Sequence, residues 1–133
     1  RMEDCLFCKI IAGEIPSTKV YEDDTVYVFK DINPITPVHY LLIPKQHICC
    51  AAKITPENSA VVAHIYEVAA KIAADQGLTD GYRIVTNCGE NGVPPALPYA
   101  GRREDGLGRR CRPAGGRIRG HTWQHTILCT LPD

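Results

Sequence analysis

The spacing of apolar residues predicts two helices in the first two-thirds of the chain. A short one covers residues 6–11 and stops at Gly13, a residue that favours a helix end. A long one of about twenty residues starts at a capping threonine followed by proline, residues 55–56, and stops at Gly77. His64 lies off its apolar stripe, so we expect a solvated side chain there. That stripe is formed by Val61, Ile65, Val68 and Ile72.

Strand-like runs precede and follow the long helix. Residues 19–21 and 25–29 are rich in β-branched and aromatic side chains and flank an acidic turn, which predicts a hairpin. Residues 39–43 predict a central strand that Pro44 ends, and residues 81–87 predict another. The pattern therefore predicts an α+β fold, in which an antiparallel meander sheet is accompanied by one short N-terminal helix and one long helix.

This regular pattern stops near residue 91. Residues 92–133 hold seven of the 11 glycines, five of the 10 prolines and seven arginines, but no lysine and no sustained period. Prolines cannot donate to a sheet ladder, so the run from Pro94 to Pro98 is unlike a central strand. We therefore predict a folded domain over residues 1–91 and an irregular Gly/Pro/Arg-rich tail over residues 92–133.

Size and charge narrow the class of protein. A chain of 133 residues fits one domain with a single core. Its 15 basic and 15 acidic side chains balance, so neither a nucleic-acid partner nor a membrane surface is expected. No apolar run approaches the roughly 18 residues of a membrane span, and no signal pattern opens the chain. Seven cysteines, an odd number, favour reduced thiols, and we expect a cytoplasmic protein.

Candidate chemistry is densest in residues 30–48, which read K-D-I-N-P-I-T-P-V-H-Y-L-L-I-P-K-Q-H-I. This stretch contains Asp31, a two-proline bend, a histidine at the head of an apolar strand, and a second histidine after Pro44. A second motif, Y-R-I-V-T-N-C-G, covers residues 82–89. Together these motifs resemble the histidine-triad (HIT) nucleotide-binding proteins, in the branch of small purine nucleoside phosphoramidases. The resemblance runs from residue 4 to about residue 91.

The resemblance implies a purine mononucleotide ligand, such as AMP or GMP, and the HIT fold. It also implies a homodimer that pairs through the long helix and the strand after Gly81. Asp31 would accept both ribose hydroxyls, and Asn87 would lie near the phosphate. His39 would support the catalytic histidine by fixing its tautomer. Apolar side chains at the matching positions would line the slot for the base: Leu6, Phe7, Ile10, Ile15, Phe29 and Ile32.

Local interpretations of the same residues stay open. A carboxylate between a strand and a turn, such as Asp31, is commonly a local cap. A histidine at a strand start, such as His39, is commonly a satisfied structural residue. The six residues assigned to the base slot are equally explained as core.

The C-x-x-C of Cys5 and Cys8 indicates a metal site, because it can supply two of the four ligands of tetrahedral zinc. The resemblance implies that His47 joins this pair, with a fourth histidine from the triad region. Such zinc would be structural, since catalysis in the family requires no cofactor. The alternative is a pair of small buried thiols.

The chain lacks the motif that names the family. Family members continue G-G-Q-x-V-x-H-x-H-x-H, and the middle histidine attacks the α-phosphorus to form a nucleotidyl-histidine that water then releases. Here residues 93–98 read V-P-P-A-L-P instead. Two hypotheses follow. The chain is either a nucleoside phosphoramidate or mononucleotidyl hydrolase that has lost its nucleophile, or a non-catalytic nucleotide- or zinc-binding scaffold protein.

The tail has an explanation in the genetic code. Residues 94–99 are specified by the codons CCA CCT GCA CTA CCA TAT, among other synonymous choices. Read one base further on, these codons give His-Leu-His-Tyr-His-Met, and the same shift permits Lys-Met-Gly-Trp before Gly108. We therefore hypothesise a frameshift near Gly92, which the DNA sequence over codons 88–108 tests.

Two other interpretations of the tail remain open. Its seven arginines between Arg102 and Arg119 suit an RNA or phosphate partner. His121 and His125 would share a metal if they were helical, although their setting is a poor helix.

Overall fold

A computed structural model describes residues 5–31, 36–48, 50–86 and 88, together with the backbone of residues 126–129. The described residues form two α-helices, one turn of 3₁₀ helix and five strands. No helix among them is long and apolar enough to cross a membrane. In chain order the elements are α1 (Leu6–Ile11), β1 (Lys19–Glu22), β2 (Val26–Lys30), β3 (His39–Pro44), the 3₁₀ turn (Ala51–Lys53), α2 (Ser59–Asp75), β4 (Arg83–Thr86) and β5 (Thr126–Cys129).

The five strands form one antiparallel sheet in the order β1-β2-β3-β5-β4. The first three strands form the predicted antiparallel meander. Strands β2 and β3 pair from Val26 with Pro44 to Lys30 with Tyr40. Just past that last pair, the Asp31 amide donates to the His39 carbonyl over 3.2 Å. The predicted α+β class is confirmed, and the meander brings Asp31 and His39 to one end of the sheet.

The two faces of the sheet pack against different helices, because alternate residues of a strand point to opposite sides. The face that meets α1 forms a cluster of Cys5, Phe7, Cys8, Ile10, Tyr27, Phe29, Leu41 and Ile43. The face that meets α2 forms a cluster of Val26, Val28, Tyr40, Leu42, Ile65, Val68, Ala69 and Ile72. Asp31 and His39 continue the odd-numbered series and therefore lie on the α1 face.

Helix α2 starts later than the sequence predicts. The predicted start was Thr55-Pro56, but the helix begins at Ser59 and Asn58 is its N-cap. The Asn58 side chain accepts a hydrogen bond from the Thr55 amide over 2.7 Å and donates to the Lys53 carbonyl over 3.1 Å. These bonds hold residues 55–58 in a turn before the helix. The predicted end is confirmed at Gly77. Its φ of 70° lies in the left-handed region, which glycine adopts without the steric cost that other residues incur.

Strand β5 is not anticipated by the sequence pattern. The C-terminal segment was expected to be irregular, but Thr126–Cys129 pairs with β3 on one side and β4 on the other. Its Thr-Ile-Leu-Cys sequence has the β-branched and apolar character of a strand. It satisfies backbone groups on two neighbouring strands at once, which explains why so short a segment is recruited. The boundary predicted at residue 91 lies outside the described residues.

Candidate functional site

The end of the β2–β3 pair carries a buried acid and a buried histidine in contact. Asp31 is 7% exposed and His39 is 2% exposed. The His39 Nε2 atom lies 3.3 Å from the Asp31 Oδ2 atom. A buried carboxylate is costly unless a donor satisfies it, and the imidazole is placed to do so. The structure thus brings together two of the predicted site residues.

The chain directly before His39 is held by a hydrogen bond of its own. Thr36 is buried, and its hydroxyl donates to the carbonyl of Val38, directly before His39. A buried hydroxyl with a backbone partner fixes the chain path where it enters β3. The contact between Asp31 and His39 was not predicted. The signal for it was available, since the two residues flank the hairpin connection between paired strands.

An apolar cluster lies on the same face of the sheet as this pair. Phe7 and Phe29 have ring centroids 6.3 Å apart at 46°, and Tyr27 and Phe29 have centroids 5.9 Å apart at 40°. These are tilted aromatic contacts of the kind that pack well. The cluster unites five of the six residues assigned to the base slot: Leu6, Phe7, Ile10, Ile15 and Phe29.

Those five residues also satisfy the core interpretation. Phe7, Ile10 and Phe29 are each at most 6% exposed, whereas Leu6 and Ile15 are only partly buried at the margin of the cluster. A flat ring requires apolar walls, and side chains at a margin are the ones a ligand can reach. Ile32 and Asn87, the remaining predicted nucleotide contacts, lie outside the described residues.

The predicted metal ligands converge at the start of α1. The ligand atoms of Cys5, Cys8 and His47 all lie within 4.8 Å of one another. The Cys8 Sγ atom lies 3.2 Å from the His47 Nδ1 atom. Zinc bonds of about 2.0–2.3 Å imply ligand atoms roughly 3.5 Å apart, so a modest closure of the three would hold the ion. Two thiolates and an imidazole are a donor set that zinc prefers, and the residues fit the metal.

The turn between β1 and β2 holds a second polar cluster, centred on Asp23. His64 of α2 was expected to be solvated, but its Nε2 atom lies 2.6 Å from Asp23 Oδ2. Tyr21 donates its hydroxyl to the same oxygen over 2.8 Å. The amides of Thr25 and Val26 donate to Oδ1, each over 2.8 Å. The His64 side chain is 36% exposed, so it is partly solvated as expected, but its contact with Asp23 was not predicted.

These bonds set the protonation state of the acid. Burial alone would raise the pKa of Asp23, but the hydrogen bonds from His64, the two amides and Tyr21 outweigh it and hold that pKa well below its usual range. The same contact raises the pKa of Tyr21, because its hydroxyl donates to a carboxylate. The cluster ties α2 to the β1–β2 turn and lies on the face opposite to Asp31 and His39.

Comparison with known proteins points in one direction. The family model described as scavenger mRNA decapping enzyme C-terminal binding matches residues 4–97. Protein HitA of Neisseria gonorrhoeae is 45% identical over 91 residues, which are 68% of this chain and 85% of that protein. The 14 kDa zinc-binding protein of Zea mays is 44% identical over 96 residues, which are 69% of this chain and 75% of that protein.

Solved structures agree with these sequence matches. A HIT family hydrolase from Clostridium thermocellum superposes with a TM-score of 0.71 at 37% identity, covering 100% of this chain and 95% of that one. A histidine triad protein from Clostridium difficile gives a TM-score of 0.72 at 35% identity, with coverages of 100% and 97%. A histidine triad nucleotide-binding protein from Candida albicans gives 0.61 at 29% identity, with coverages of 93% and 72%.

Proposed function

The chain belongs to the histidine-triad (HIT) family, and on that premise we propose that it binds a purine mononucleotide such as AMP or GMP. The base lies against the apolar cluster between α1 and the sheet, and the ribose hydroxyls donate to Asp31. The phosphate lies towards Asn87. One solved relative is called a nucleotide-binding protein, which supports a ligand of this class.

The observation that carries the proposal is a buried carboxylate beside an apolar cluster. Asp31 is 7% exposed and lies two residues after Phe29, on the same face as the aromatic contacts. A core has no need of a carboxylate, and burying one carries a desolvation cost. A ribose diol supplies two donors to one carboxylate while its base fills apolar surface, so the two features suit a single ligand.

We propose further that this chain does not catalyse the reaction that its family resemblance implies. Hydrolase is the activity named for a structural relative. Hydrolysis through a nucleotidyl-histidine needs a histidine beside the supporting His39. The strand that pairs with β3 at His39 is β5, whose sequence Thr-Ile-Leu-Cys contains no histidine. A non-catalytic nucleotide-binding scaffold is therefore the function that this sequence supports best.

Calorimetric titration with AMP tests the binding proposal. Wild-type protein should bind AMP and should bind 2′,3′-dideoxy-AMP about tenfold or more weakly, because charged hydrogen bonds to the ribose are lost. Asp31→Asn should remove most of that preference. The matched control is Asp24→Asn, which makes the same charge change at an exposed position in the β1–β2 turn. No binding by the wild type, or equal losses in both variants, would reject the proposal.

The metal site supports a second role for this region. We propose that Cys5, Cys8 and His47 hold a structural zinc ion that fixes α1 against the sheet. A maize relative is called a zinc-binding protein. Thiolate ligands of this kind persist in a reducing compartment, which is consistent with the cytoplasmic location we propose.

We also propose that two copies associate through α2 and the start of β4. Tyr66 of α2 is 52% exposed and Tyr82, directly before β4, is 39% exposed. Large apolar rings at the surface are common in interfaces. Light scattering of the full chain should give the mass of a dimer, and Tyr66→Glu should shift it towards that of a monomer.

A further inference from the structure

We propose that His39 is a positioning residue for the ribose-binding carboxylate: its Nε2–H donates to Asp31 and holds the carboxylate in the orientation that receives the sugar. This inference rests on the proposed nucleotide function and assigns His39 a task that does not need the missing nucleophile. The task lies in ligand binding, so it survives in a chain without the triad.

The geometry of the pair is the first support. Side-chain exposure is 0% for His39 and 4% for Asp31, and the Nε2 and Oδ2 atoms are 3.3 Å apart. At this burial the interaction is little screened by water, so a donor on the imidazole strongly biases the carboxylate rotamer. A carboxylate has two oxygens, and a donor fixed on one of them determines where the other points.

The rigidity of the surroundings is the second support. His39 begins β3, which pairs on both sides with other strands, and the Asp31 amide bonds to the His39 carbonyl over 3.2 Å. The buried hydroxyl of Thr36 bonds to the carbonyl of Val38, so the chain entering β3 is also held. Backbone and side chain thus join the same two residues, an arrangement that preorganises a site before the ligand arrives.

Sugar specificity distinguishes positioning from a purely structural role. Affinity should be measured for AMP and for 2′,3′-dideoxy-AMP, and their ratio compared among variants. His39→Asn leaves no donor at the Nε2 position, so the ratio should fall towards one, by about tenfold, while the affinity for dideoxy-AMP changes little. His39→Gln places an amide donor near the Nε2 position and should retain most of the preference.

Phe29→Leu is the matched control. It trims the apolar cluster rather than the polar pair, so both nucleotides should lose affinity together and the ratio should be retained. If His39→Asn keeps the wild-type ratio, or weakens both nucleotides equally, the positioning role is wrong while nucleotide binding stands. If the wild-type protein binds no AMP, both proposals fall.

The wild-type protein offers a test that requires no substitution. Nitrogen-15 correlation spectra of the histidine rings report which ring nitrogen carries the proton. For His39 we expect a proton on Nε2. A neutral ring with its proton on Nδ1 alone cannot donate to Asp31, and that result would overturn the inference even if every variant failed to fold.

Discussion

Asp23 shows how one side chain connects three elements of this fold. It accepts bonds from two backbone amides in its own turn, from Tyr21 on β1 and from His64 on α2. The amide bonds shape the turn, since they satisfy donors that the hairpin leaves open. The hydrogen bond from His64 links α2 to the turn beside β1, the edge strand of the sheet.

Replacing Asp23 with alanine should destabilise the protein by about 1–3 kcal/mol, because the amides and the tyrosine hydroxyl lose their acceptor. The effect should depend on pH in a defined direction. The pKa of Asp23 is lowered in the folded state, so its stabilisation is present above its unfolded pKa of about 3.9 and is lost as the pH falls through the lower folded value.

Urea unfolding of wild type and Asp23→Ala at several pH values measures this. The difference in unfolding free energy should be full above about pH 4 and should shrink below it. Asp24→Ala is the control, since Asp24 is exposed in the same turn and should change stability within about 0.5 kcal/mol. A difference that stays constant into acid would show that the loss of turn shape, and not charge, dominates.

At the scale of single residues, the sequence predicts which residues are functional candidates better than it predicts which side chains contact each other. The motif around Asp31 predicts a functional acid, and the structure places it in a buried position beside His39. Neither that contact nor the one between Asp23 and His64 is visible in local periodicity, because the partners are separated by a turn in the first case and by β2, β3 and the 3₁₀ turn in the second. Sequence spacing describes one element, whereas these pairs exist only after elements pack.

Among the elements, α1 depends most on contacts outside itself. It has six residues, too few for a stable isolated helix, and its N-cap Cys5 makes no side-chain capping bond. Its buried residues, Phe7, Cys8 and Ile10, pack on the sheet. A metal at Cys5, Cys8 and His47 would join this helix to the segment after β3 and supply the order that its length cannot.

We expect wild-type protein to carry about one zinc ion per chain and Cys8→Ser to carry little, since one of the thiolate ligands is removed. Removing the ion with a chelator should lower the melting temperature by roughly 5 °C or more, because binding energy for the folded state is lost. Metal analysis by mass spectrometry and thermal unfolding measure the two effects.

Cys88→Ser provides the comparison for the metal prediction. Cys88 is half-buried and does not belong to the three-residue cluster, so zinc content and melting temperature should remain near the wild-type values. If the wild-type protein carries no zinc and a chelator does not change its melting temperature, the metal site is wrong. Cys5 and Cys8 are then buried thiols of the core.

Strand β5 differs from the other strands in how it can be recognised. Strands β1 and β2 are readable because two runs rich in β-branched and aromatic residues flank an acidic turn, and β3 is readable because its apolar run ends at Pro44. Strand β5 has the composition of a strand, but it is only four residues long and follows a Gly/Pro/Arg-rich stretch with no sustained period, so its composition alone does not place it in the sheet. Its place is decided by the two neighbouring strands that need a partner, which is a property of the sheet.

Proline at Ile127 should therefore cost about 3 kcal/mol or more, because it removes a backbone donor from the strand between β3 and β4. Denaturant unfolding measures the loss. Proline at Ala114, within the tail predicted to be irregular, should change stability far less. Equal effects of the two substitutions would show that β5 contributes nothing to the folded sheet.

For the whole molecule, the residues proposed to bind the nucleotide and the strand that lacks a nucleophile come from different parts of the chain. The α1 face holds Asp31, His39, the apolar cluster and the candidate zinc ligands, all within residues 5–47. The family model likewise ends its match at residue 97. The strand that pairs with β3 at His39 is β5, whose residues come from the far end of the chain.

Restoring the strand that carries the family's three histidines tests whether their loss explains the lack of turnover that we propose. As written, the chain should turn over adenosine 5′-phosphoramidate at a rate lower by roughly three orders of magnitude or more than a chain with a nucleophile, as loss of a catalytic nucleophile generally causes. The restored chain replaces residues 94–99 with His-Leu-His-Tyr-His-Met, the residues read one base further on, and inserts before them the G-G-Q segment with which the family motif begins. Its control keeps all of these changes except Ala96→His, the middle histidine of the motif.

If the frameshift hypothesis is right, the restored chain gains turnover and its control does not, while both still bind AMP. We expect AMP binding in both variants because neither alters Asp31 or the apolar cluster, the proposed nucleotide contacts. We expect turnover only in the restored chain because the proposed attack on phosphorus requires an imidazole beside His39. Turnover by the unaltered chain would mean that another group is the nucleophile. Loss of AMP binding in the restored chain would mean that β5, not the histidine strand, is the proper partner of β3.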